Sequence, residues 1–410
     1  MAVDPESTSQ ATASSDMRLL RGAVKDYAWG CSQRIPALMG GAVTSDVIAE
    51  VWFGAHPSGP TAVADSQETL AELVAAKPEA MLGDDVRRRF GDRLPYLVKF
   101  LAAASPLSLQ VHPSLDEARA GFAAEDKAGI ARSAPNRSYR DDNHKPEFIA
   151  ALTDFEALVG FRPALQSADL LGSLQVNGLA PIIAALDVGP GHALRLILEG
   201  DPTPFASIVA DTASACARAR DNDPWKAEKD LISRLAEAYP GDRGVLTAAL
   251  LNRVVLAPGE GLYLDAGTLH AYVEGLGLEV MASSDNVLRA GLTPKHVDIP
   301  ELLRVVRPCA APPAILHARG AVSHMDLPAD EFRVSRYEIK SGALHRHVQP
   351  GPKIVVCVEG GVELSAPAPM VSTALSISAG QAGWVPPAVG ELELQGVGVA
   401  WVVGVGNIAD

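Results

Sequence analysis

Cysteine is scarce in this sequence. Its 410 residues include four cysteines, at positions 31, 216, 309 and 357, and no two of them form a Cys-x-x-Cys pair. The spacing argues against a disulfide framework and predicts reduced thiols in a cytoplasmic protein. A free cysteine is more often a small core hydrophobe than a nucleophile, so none of the four is assigned a role.

Long apolar runs and basic clusters are also missing. No apolar run approaches the ~20 residues that a membrane-spanning helix needs. The formal net charge is −14 and no run of Lys and Arg stands out, so a nucleic-acid surface is not expected. The acidity still allows a phosphorylated substrate, because local Arg and Lys side chains can oppose the overall field.

The first sixteen residues differ from the rest of the chain. They are rich in Ser, Thr, Ala, Asp and Glu and have no apolar stretch, so they do not resemble a signal peptide. A second methionine, Met17, directly precedes the first apolar residues. We therefore expect residues 1–16 to be a disordered leader or a tag that lies outside the fold.

Length and hydropathy patterning predict a mainly β protein with a helical insertion. With 48% apolar residues, the chain can bury real cores, and its length suggests two or three domains. The strand and helix patterns divide the chain into a β-domain, a helical insertion domain and a C-terminal β-domain, at residues 17–161 with 253–308, 162–252 and 309–410, respectively.

Two helix starts are indicated by their capping residues. Ser114 followed by Glu117 predicts a capping box at the head of a helix over residues 114–130. Asp223 followed by Pro224 predicts an N-cap and the first helical residue of a helix in the insertion.

The segment Leu107-Ser-Leu-Gln-Val-His-Pro113 alternates apolar and polar residues, as a β-strand does. Gln110 and His112 are two residues apart, so both side chains project from one face of the strand. An imidazole is a good ligand for a transition metal, and an amide oxygen can be a weaker one. The alternative is a half-buried strand with an incidental histidine.

Two further strand starts supply ligand atoms of the same kind. Glu147 follows Pro146, which suits the start of a strand, and His270 opens the strand after the Gly267 turn. Gln110, His112, Glu147 and His270 form a mixed nitrogen and oxygen set that suits zinc and also admits manganese, cobalt or iron. With an open position for water or substrate, such a site is catalytic.

These motifs together resemble the type I mannose-6-phosphate isomerase (phosphomannose isomerase) family of the cupin superfamily. The Gly259-x5-Asp-x-Gly-x2-His270 spacing is similar to the second cupin motif, and Gln110-Val-His112 replaces the His-x-His of the first. Asn143-His-Lys-Pro-Glu147 and Ser284-Asp-Asn-Val-Leu-Arg-Ala-Gly291 are specific to the resemblance. Asp265 stands where Pro is usual and Glu274 where Asn is usual.

The resemblance implies a fold and an activity. The fold would be two cupin-type jelly-roll β-domains plus a helical domain, with one divalent metal, zinc before others, in the first cupin and none in the second. The activity would be the interconversion of mannose 6-phosphate and fructose 6-phosphate by proton transfer through a cis-enediolate, in the metabolism that leads to GDP-mannose.

Site residues follow from the matching motifs. Arg289 is the candidate for stabilising the charge of the enediolate, and an i,i+4 surface ion pair with Asp285 is its alternative. The proton-transfer base stays open among His144, Lys145, Glu279 and Asp285. The candidate substrate or phosphate ligands are Ser108, Lys99 and Lys295.

Other functions remain in view. A cupin that binds a sugar phosphate without turnover is the main alternative, and the full ligand set with Lys145 and Arg289 favours the enzyme. A cupin dioxygenase fits less well, because Gln110 would be an unusual iron ligand. We expect a monomer that binds a sugar phosphate, with neither nucleic acid nor membrane as a partner.

Overall fold

The computed structural model describes residues 16–42, 45–370 and 373–406. All but the last residue of the expected leader, 1–16, lie outside this part of the chain. Among the described helices, none has the length and apolar character needed to cross a membrane. The described chain is mainly β, as predicted, with its strands in two antiparallel sheets.

The strands take up most of the chain on either side of a helical region. In chain order they are β1 Arg18–Arg21, β2 Ala23–Lys25, β3 Glu50–Phe53, β4 Ala62–Val63, β5 Tyr96–Ala103, β6 Leu109–Val111, β7 Glu147–Ala151, β8 Phe155–Phe161, β9 Leu251–Leu256, β10 Glu260–Leu264, β11 His270–Ala282, β12 Leu288–Gly291, β13 Ile315–His317, β14 Val322–His324, β15 Arg333–Ile339, β16 His345–Val348, β17 Lys353–Ser365, β18 Leu375–Ser378, β19 Ala382–Val385 and β20 Glu391–Gly404.

The helices concentrate between β8 and β9, as the sequence predicts. In chain order they are α1 Arg34–Leu38, α2 Leu70–Ala76, α3 Pro78–Leu82, α4 Asp84–Phe90, α5 Leu115–Lys127, α6 Ala164–Ser173, a 3-10 turn Asn177–Leu179, α7 Ala180–Leu186, α8 Pro190–Glu199, α9 Pro202–Cys216, α10 Lys226–Ala238, α11 Gly244–Ala248 and α12 Ile299–Val305.

One of the two predicted caps is confirmed. Ser114 and Glu117 form the reciprocal capping box of α5, with the Ser114 N–H 2.8 Å from the Glu117 carboxylate. The other start is wrong by two residues, because α10 begins at Lys226 with Trp225 at its N-cap. The Asp223 carboxylate instead accepts the backbone N–H of Trp225 and the ammonium of Lys229, so it closes a turn before the helix.

Contacts divide the chain into two units. The first consists of Val24–Trp52 and Tyr96–Arg319 and holds the sheet in the order β13-β10-β7-β11-β5-β3-β2, with β6 and β8 pairing to β11, β12 to β6 and β9 to β8. The second consists of the residues up to Ala23, Phe53–Pro95 and Gly320 onwards, and holds β14-β15-β20-β17-β19-β1-β4, with β16 on β20 and β18 on β17.

These boundaries differ from the predicted ones. The sequence assigned residues 17–161 to one β-domain, but the segments before Val24 and over Phe53–Pro95 group with the C-terminal sheet. The cause is non-local strand pairing, since Leu19 of β1 pairs with Gly383 of β19. The helical region also groups with the first unit instead of forming its own.

Strand β11 organises the first sheet. Its N-terminal part pairs with β6 and β8, and its C-terminal part pairs with β5 and β7, across a register shift between Tyr272 and Glu274. Gly275 follows this shift with φ +138°, and a Cβ there would lie 2.6 Å from the ring of Phe155. Glycine therefore permits the bulge that lets one strand serve both sets of partners.

The helical region covers one face of the strands. Leu109, Val111, Ala271, Leu288 and Ala290 are buried in a common apolar core with α6 to α11. Side chains alternate along a strand, so Gln110, His270 and Arg289 project from the opposite face. The buried residues of the helices therefore pack against the side of these strands that faces away from Gln110, His270 and Arg289.

Candidate metal centre and active site

Three buried side chains converge on one point in the first unit. Ligand atoms of His112, Glu147 and His270 all lie within 4.8 Å of one another. Each of the two Nε2 atoms is 3.2 Å from an oxygen of Glu147, His112 from Oε1 and His270 from Oε2. Their side chains are at most 2% exposed. Strand starts supply Glu147 and His270, as predicted, and His112 directly follows β6.

Backbone carbonyls determine which imidazole nitrogen faces this point. His112 Nδ1 lies 2.7 Å from the carbonyl of Asn286, and His270 Nδ1 lies 2.9 Å from that of Thr268. A carbonyl only accepts, so both Nδ1 atoms carry the proton and both Nε2 atoms present lone pairs. Such carbonyl contacts are typical of metal-binding histidines.

The convergent atoms have no hydrogen-bond partner. His112 Nε2, His270 Nε2 and Glu147 Oε2 are all buried and unsatisfied. Two neutral imidazoles without a proton on Nε2 have nothing to donate to the carboxylate. Buried lone pairs facing a carboxylate are stabilised by a cation, so this donor set fits a divalent metal.

The electrostatics keep the donors in their metal-binding forms. Burial, joined by the Lys145 ammonium, lowers the pKa of His112 to about 4, so this ring is neutral at pH 7. Burial alone would raise the pKa of Glu147, but the Lys145 ammonium, at 2.7 Å from Oε1, holds it well below its usual range. The carboxylate is therefore ionised.

Gln110, the fourth predicted ligand, lies beside this group in the sheet. It is directly opposite His270 in the β6–β11 pair and directly opposite Arg289 in the β6–β12 pair. Side chains at opposed positions project from the same face. Gln110 is half-buried, whereas its neighbours Leu109 and Val111 are buried in the core behind. Its role as a ligand stays a prediction.

Three cations gather next to these strands. Burial and the nearby Arg140 lower the pKa of Arg289, and burial, Arg289 and Arg140 lower the pKa of Lys295. Within the described ranges, no carboxylate pairs with the side chain of any of the three. The alternative reading of Arg289 as one half of an ion pair with Asp285 is therefore not supported. An unneutralised cation cluster favours a bound anion.

A loop clamp positions several site residues at once. The Asn286 side chain accepts the N–H of Arg140 at 2.7 Å and donates to the carbonyls of Asp141 and Asn143 at 2.8 Å. The Asp141 carboxylate in turn accepts from the Ser284 hydroxyl at 2.8 Å and the Asp285 N–H at 2.7 Å. Sequence reasoning missed Asp141 and Asn286 because their partners lie about 145 residues away.

The remaining candidates lie around this clamp and strand β6. His144 is half-buried in the segment that leads to Lys145, and Asp285 is half-buried after Ser284. Ser108 is half-buried two residues before Gln110, as the alternation predicts.

Lys99, a predicted phosphate ligand, has other partners in the structure. Its ammonium lies 2.8 Å from Glu279 Oε2 and 3.8 Å from Glu50 Oε1, and its side chain is 7% exposed. The two carboxylates already neutralise the charge of this ammonium. Glu50 was not among the candidate residues, because only the fold brings its carboxylate close to Lys99.

Comparisons with known proteins agree on one family. The model of the phosphomannose isomerase type I catalytic domain matches residues 17–164. Mannose-6-phosphate isomerase of Escherichia coli K12 is 38% identical over 363 residues, which cover 85% of this chain and 90% of the relative. Mannose-6-phosphate isomerase 1 of Arabidopsis thaliana is 34% identical over 400 residues, 90% of this chain and 89% of the relative.

Solved structures give the same result. A zinc-bound holo mannose 6-phosphate isomerase and the Salmonella typhimurium enzyme bound to its substrate fructose 6-phosphate and zinc are both similar to this chain, each with a TM-score of 0.86 and 34% identity. Each alignment covers 95% of this chain and 100% of the solved one. With its convergent donor set and this identity over most of its length, the chain belongs to the type I mannose-6-phosphate isomerase family.

Proposed function

We propose that this protein is a zinc-dependent mannose-6-phosphate isomerase, an enzyme that interconverts mannose 6-phosphate and fructose 6-phosphate. The observation that carries the proposal is the set of buried, unsatisfied donors of His112, Glu147 and His270 on one face with Arg289. The similar Salmonella enzyme with fructose 6-phosphate and zinc supports the substrate and the metal.

The metal would be held by His112, Glu147 and His270, with Gln110 as the predicted fourth ligand. A bound divalent cation supplies Lewis acidity that lowers the energy of negative charge on the sugar oxygens. The chain's own contribution is to hold Glu147 ionised and both imidazoles with Nε2 unprotonated, as the carbonyls of Asn286 and Thr268 require.

Arg289 is suited to the charge that develops during the reaction. The aldose–ketose conversion moves a proton between C1 and C2 and another between O1 and O2, through an enediolate. Because no carboxylate among the described residues neutralises it, this guanidinium can offer two donors to these oxygens without reorganising. Its position opposite Gln110 places it on the face of the metal ligands.

The proton-transfer group stays open among four residues. Lys145 is supported by its contact with Glu147, and Glu279 by its burial on the sheet beside Lys99. His144 and Asp285 are supported by their places at the clamped loops. Each would need to reach the C1–C2 bond of a bound sugar.

The phosphate is best matched by the cation cluster. Lys295 and Arg140 lie near Arg289 and have no carboxylate partner in the part of the chain that the structure describes. Ser108 can add a hydroxyl donor on the Gln110 face. Lys99 is left out of this group because two carboxylates already hold its ammonium.

A coupled assay tests the proposal. The protein is incubated with mannose 6-phosphate, and fructose 6-phosphate is measured before chelator, after chelator and after zinc is restored. We expect turnover that the chelator abolishes and zinc restores. Binding of the sugar phosphate without turnover in zinc-loaded protein would contradict it and would favour the non-catalytic alternative.

We also propose a cytoplasmic location, supported by the four cysteines, which are all free thiols. A monomeric state without nucleic-acid or membrane partners stays a prediction.

A further inference from the structure

A buried ammonium lies between two carboxylates on the sheet that carries Glu147. Lys99 Nζ is 2.8 Å from Glu279 Oε2 and 3.8 Å from Glu50 Oε1. Lys99 and Glu279 are directly opposite in β5 and β11, and Glu279 is directly opposite Ile149 of β7. Glu147 is two residues before Ile149, so Lys99, Glu279 and Glu147 project from one face.

Glu50 is fixed from its other side. The indole N–H of Trp52 donates to Glu50 Oε2 at 2.7 Å, and the ring of the same tryptophan lies 5.0 Å from Lys99 Nζ. The other carboxylate oxygen of Glu50, Oε1, is the one that lies near Lys99 Nζ. The side chains of Glu50, Lys99 and Glu279 are at most 7% exposed, so solvent screens these contacts little.

The cluster has one negative charge more than it has positive charges. Burial raises the pKa of Glu50, and Glu279 adds to this, while Lys99, the Trp52 indole and Lys145 oppose it. Burial would lower the pKa of Lys99, but Glu279, Glu50 and Glu147 together raise it. Lys99 is therefore a permanent cation, and Glu50 keeps its proton up to a higher pH than an ordinary glutamate does. Tyr27 lies in the segment after β2. Burial and Glu50 raise the pKa of its hydroxyl, and Lys99 opposes them.

We propose that Glu50 is a positioning residue: its carboxylate holds the Lys99 ammonium in place, and Lys99 in turn orients the Glu279 carboxylate toward the sugar. Glu50 reaches the reaction only through Lys99. When Glu50 is ionised, the ammonium is held between two oxygens. When Glu50 is neutral, Lys99 is held by Glu279 alone, and the pair moves.

The experiment compares wild type with Glu50→Gln, and it rests on the proposed isomerase activity. Glutamine has the shape of the protonated carboxyl at every pH. We expect kcat to fall on the order of 10- to 100-fold at pH 8, as for a ~1 Å misplacement, with KM little changed and zinc content equal to wild type. The ratio of wild-type kcat to variant kcat should shrink as the pH falls and Glu50 takes up its proton. The plot of kcat against pH should therefore show an acid limb for wild type that is missing for the variant.

Two further variants complete the design. Glu50→Asp keeps the charge and should retain the acid limb with part of the turnover, which also covers a Gln variant that fails to fold. Glu237→Gln, on an exposed face of α10, is the matched control and should equal wild type throughout. An active wild type with an unchanged Glu50→Gln variant overturns this inference. A loss of kcat that is equal at every pH also overturns it, because a purely structural role would give that result. An inactive wild type counts instead against the proposed function.

Discussion

Gln110 and His270 lie directly opposite each other where β6 pairs with β11. The chain separates them by 160 positions, yet the register places both side chains on the face that also carries Arg289. The strands that carry these two candidate ligands therefore meet edge to edge, and a single slip in register would turn one of the two side chains into the core behind.

Gln110→Ala tests the predicted fourth ligand. Removing the amide oxygen should weaken zinc binding at least on the order of 10-fold, as measured by competition with a chromophoric chelator. His317→Ala, an exposed histidine on β13, serves as the control. Unchanged zinc affinity in the Gln110 variant would remove this residue from the ligand set.

Arg289→Ala should act on turnover and leave the fold intact. Loss of one preorganised donor raises the barrier by about 2–4 kcal/mol, whereas Arg289 has no described ion pair whose loss would destabilise the protein. Arg195→Ala, which breaks only an exposed pair with Glu199, is the control. Steady-state kinetics and thermal melting check both parts, and an unfolded variant or an unchanged kcat contradicts the assignment.

Asp141→Ala should weaken zinc binding without removing a ligand. Its carboxylate holds the loop in which the Asn286 carbonyl anchors His112 Nδ1. Loss of such an outer contact typically lowers metal affinity about 10- to 100-fold. Asp141→Asn keeps one acceptor oxygen and should recover part of the affinity. Equal affinity in Asp141→Ala and wild type would show that the clamp does not support the site.

His347 makes the stability of the C-terminal unit depend on pH. It is buried between the Tyr337 hydroxyl and the Gln349 amide, and burial lowers its pKa to about 4. Its ordinary value is about 6.5, so below that pH the unfolded chain binds a proton that the folded state does not. The contribution is complete above pH 6.5 and is lost as the pH falls toward 4.

Urea unfolding at pH 7.5 and pH 5 measures this effect. When the pH is lowered from 7.5 to 5, His347 should lower the free energy of unfolding of wild type by about 2 kcal/mol, on the scale of 1.36 kcal/mol per pKa unit. The His347→Gln variant should lack this part of the pH dependence. It should also be less stable than wild type at pH 7.5, because the substitution changes the contact with the Tyr337 hydroxyl. The same loss of stability with pH in both proteins would contradict the prediction.

Local signals predicted the parts of the site that depend on one strand or one helix start. Strand openings at Glu147 and His270 and the capping box at Ser114 are confirmed, because turn residues and side-chain alternation determine them within a few positions. The pairing of Gln110 with Arg289 and the neighbourhood of Lys295 follow from register, which depends on strands far apart in the sequence.

The sequence could not predict the features that depend on contacts between segments far apart in the chain. Leu194 and Ile197 of α8 share a core with the back of β6, and no local pattern indicates this contact. The pairing of β1 with β19 bridges more than 360 positions. Glu50 had no signal at all, since only the fold brings it to Lys99.

Glu147→Gln tests the metal-dependent isomerase most directly. The substitution keeps the shape of the side chain but removes the charge that faces both imidazoles and Lys145. Zinc per chain and kcat with mannose 6-phosphate are measured on the same sample, with Glu237→Gln as the control. The account predicts that zinc and turnover are lost together while the melting curve stays cooperative. Wild-type turnover in a zinc-free Glu147→Gln protein would contradict it.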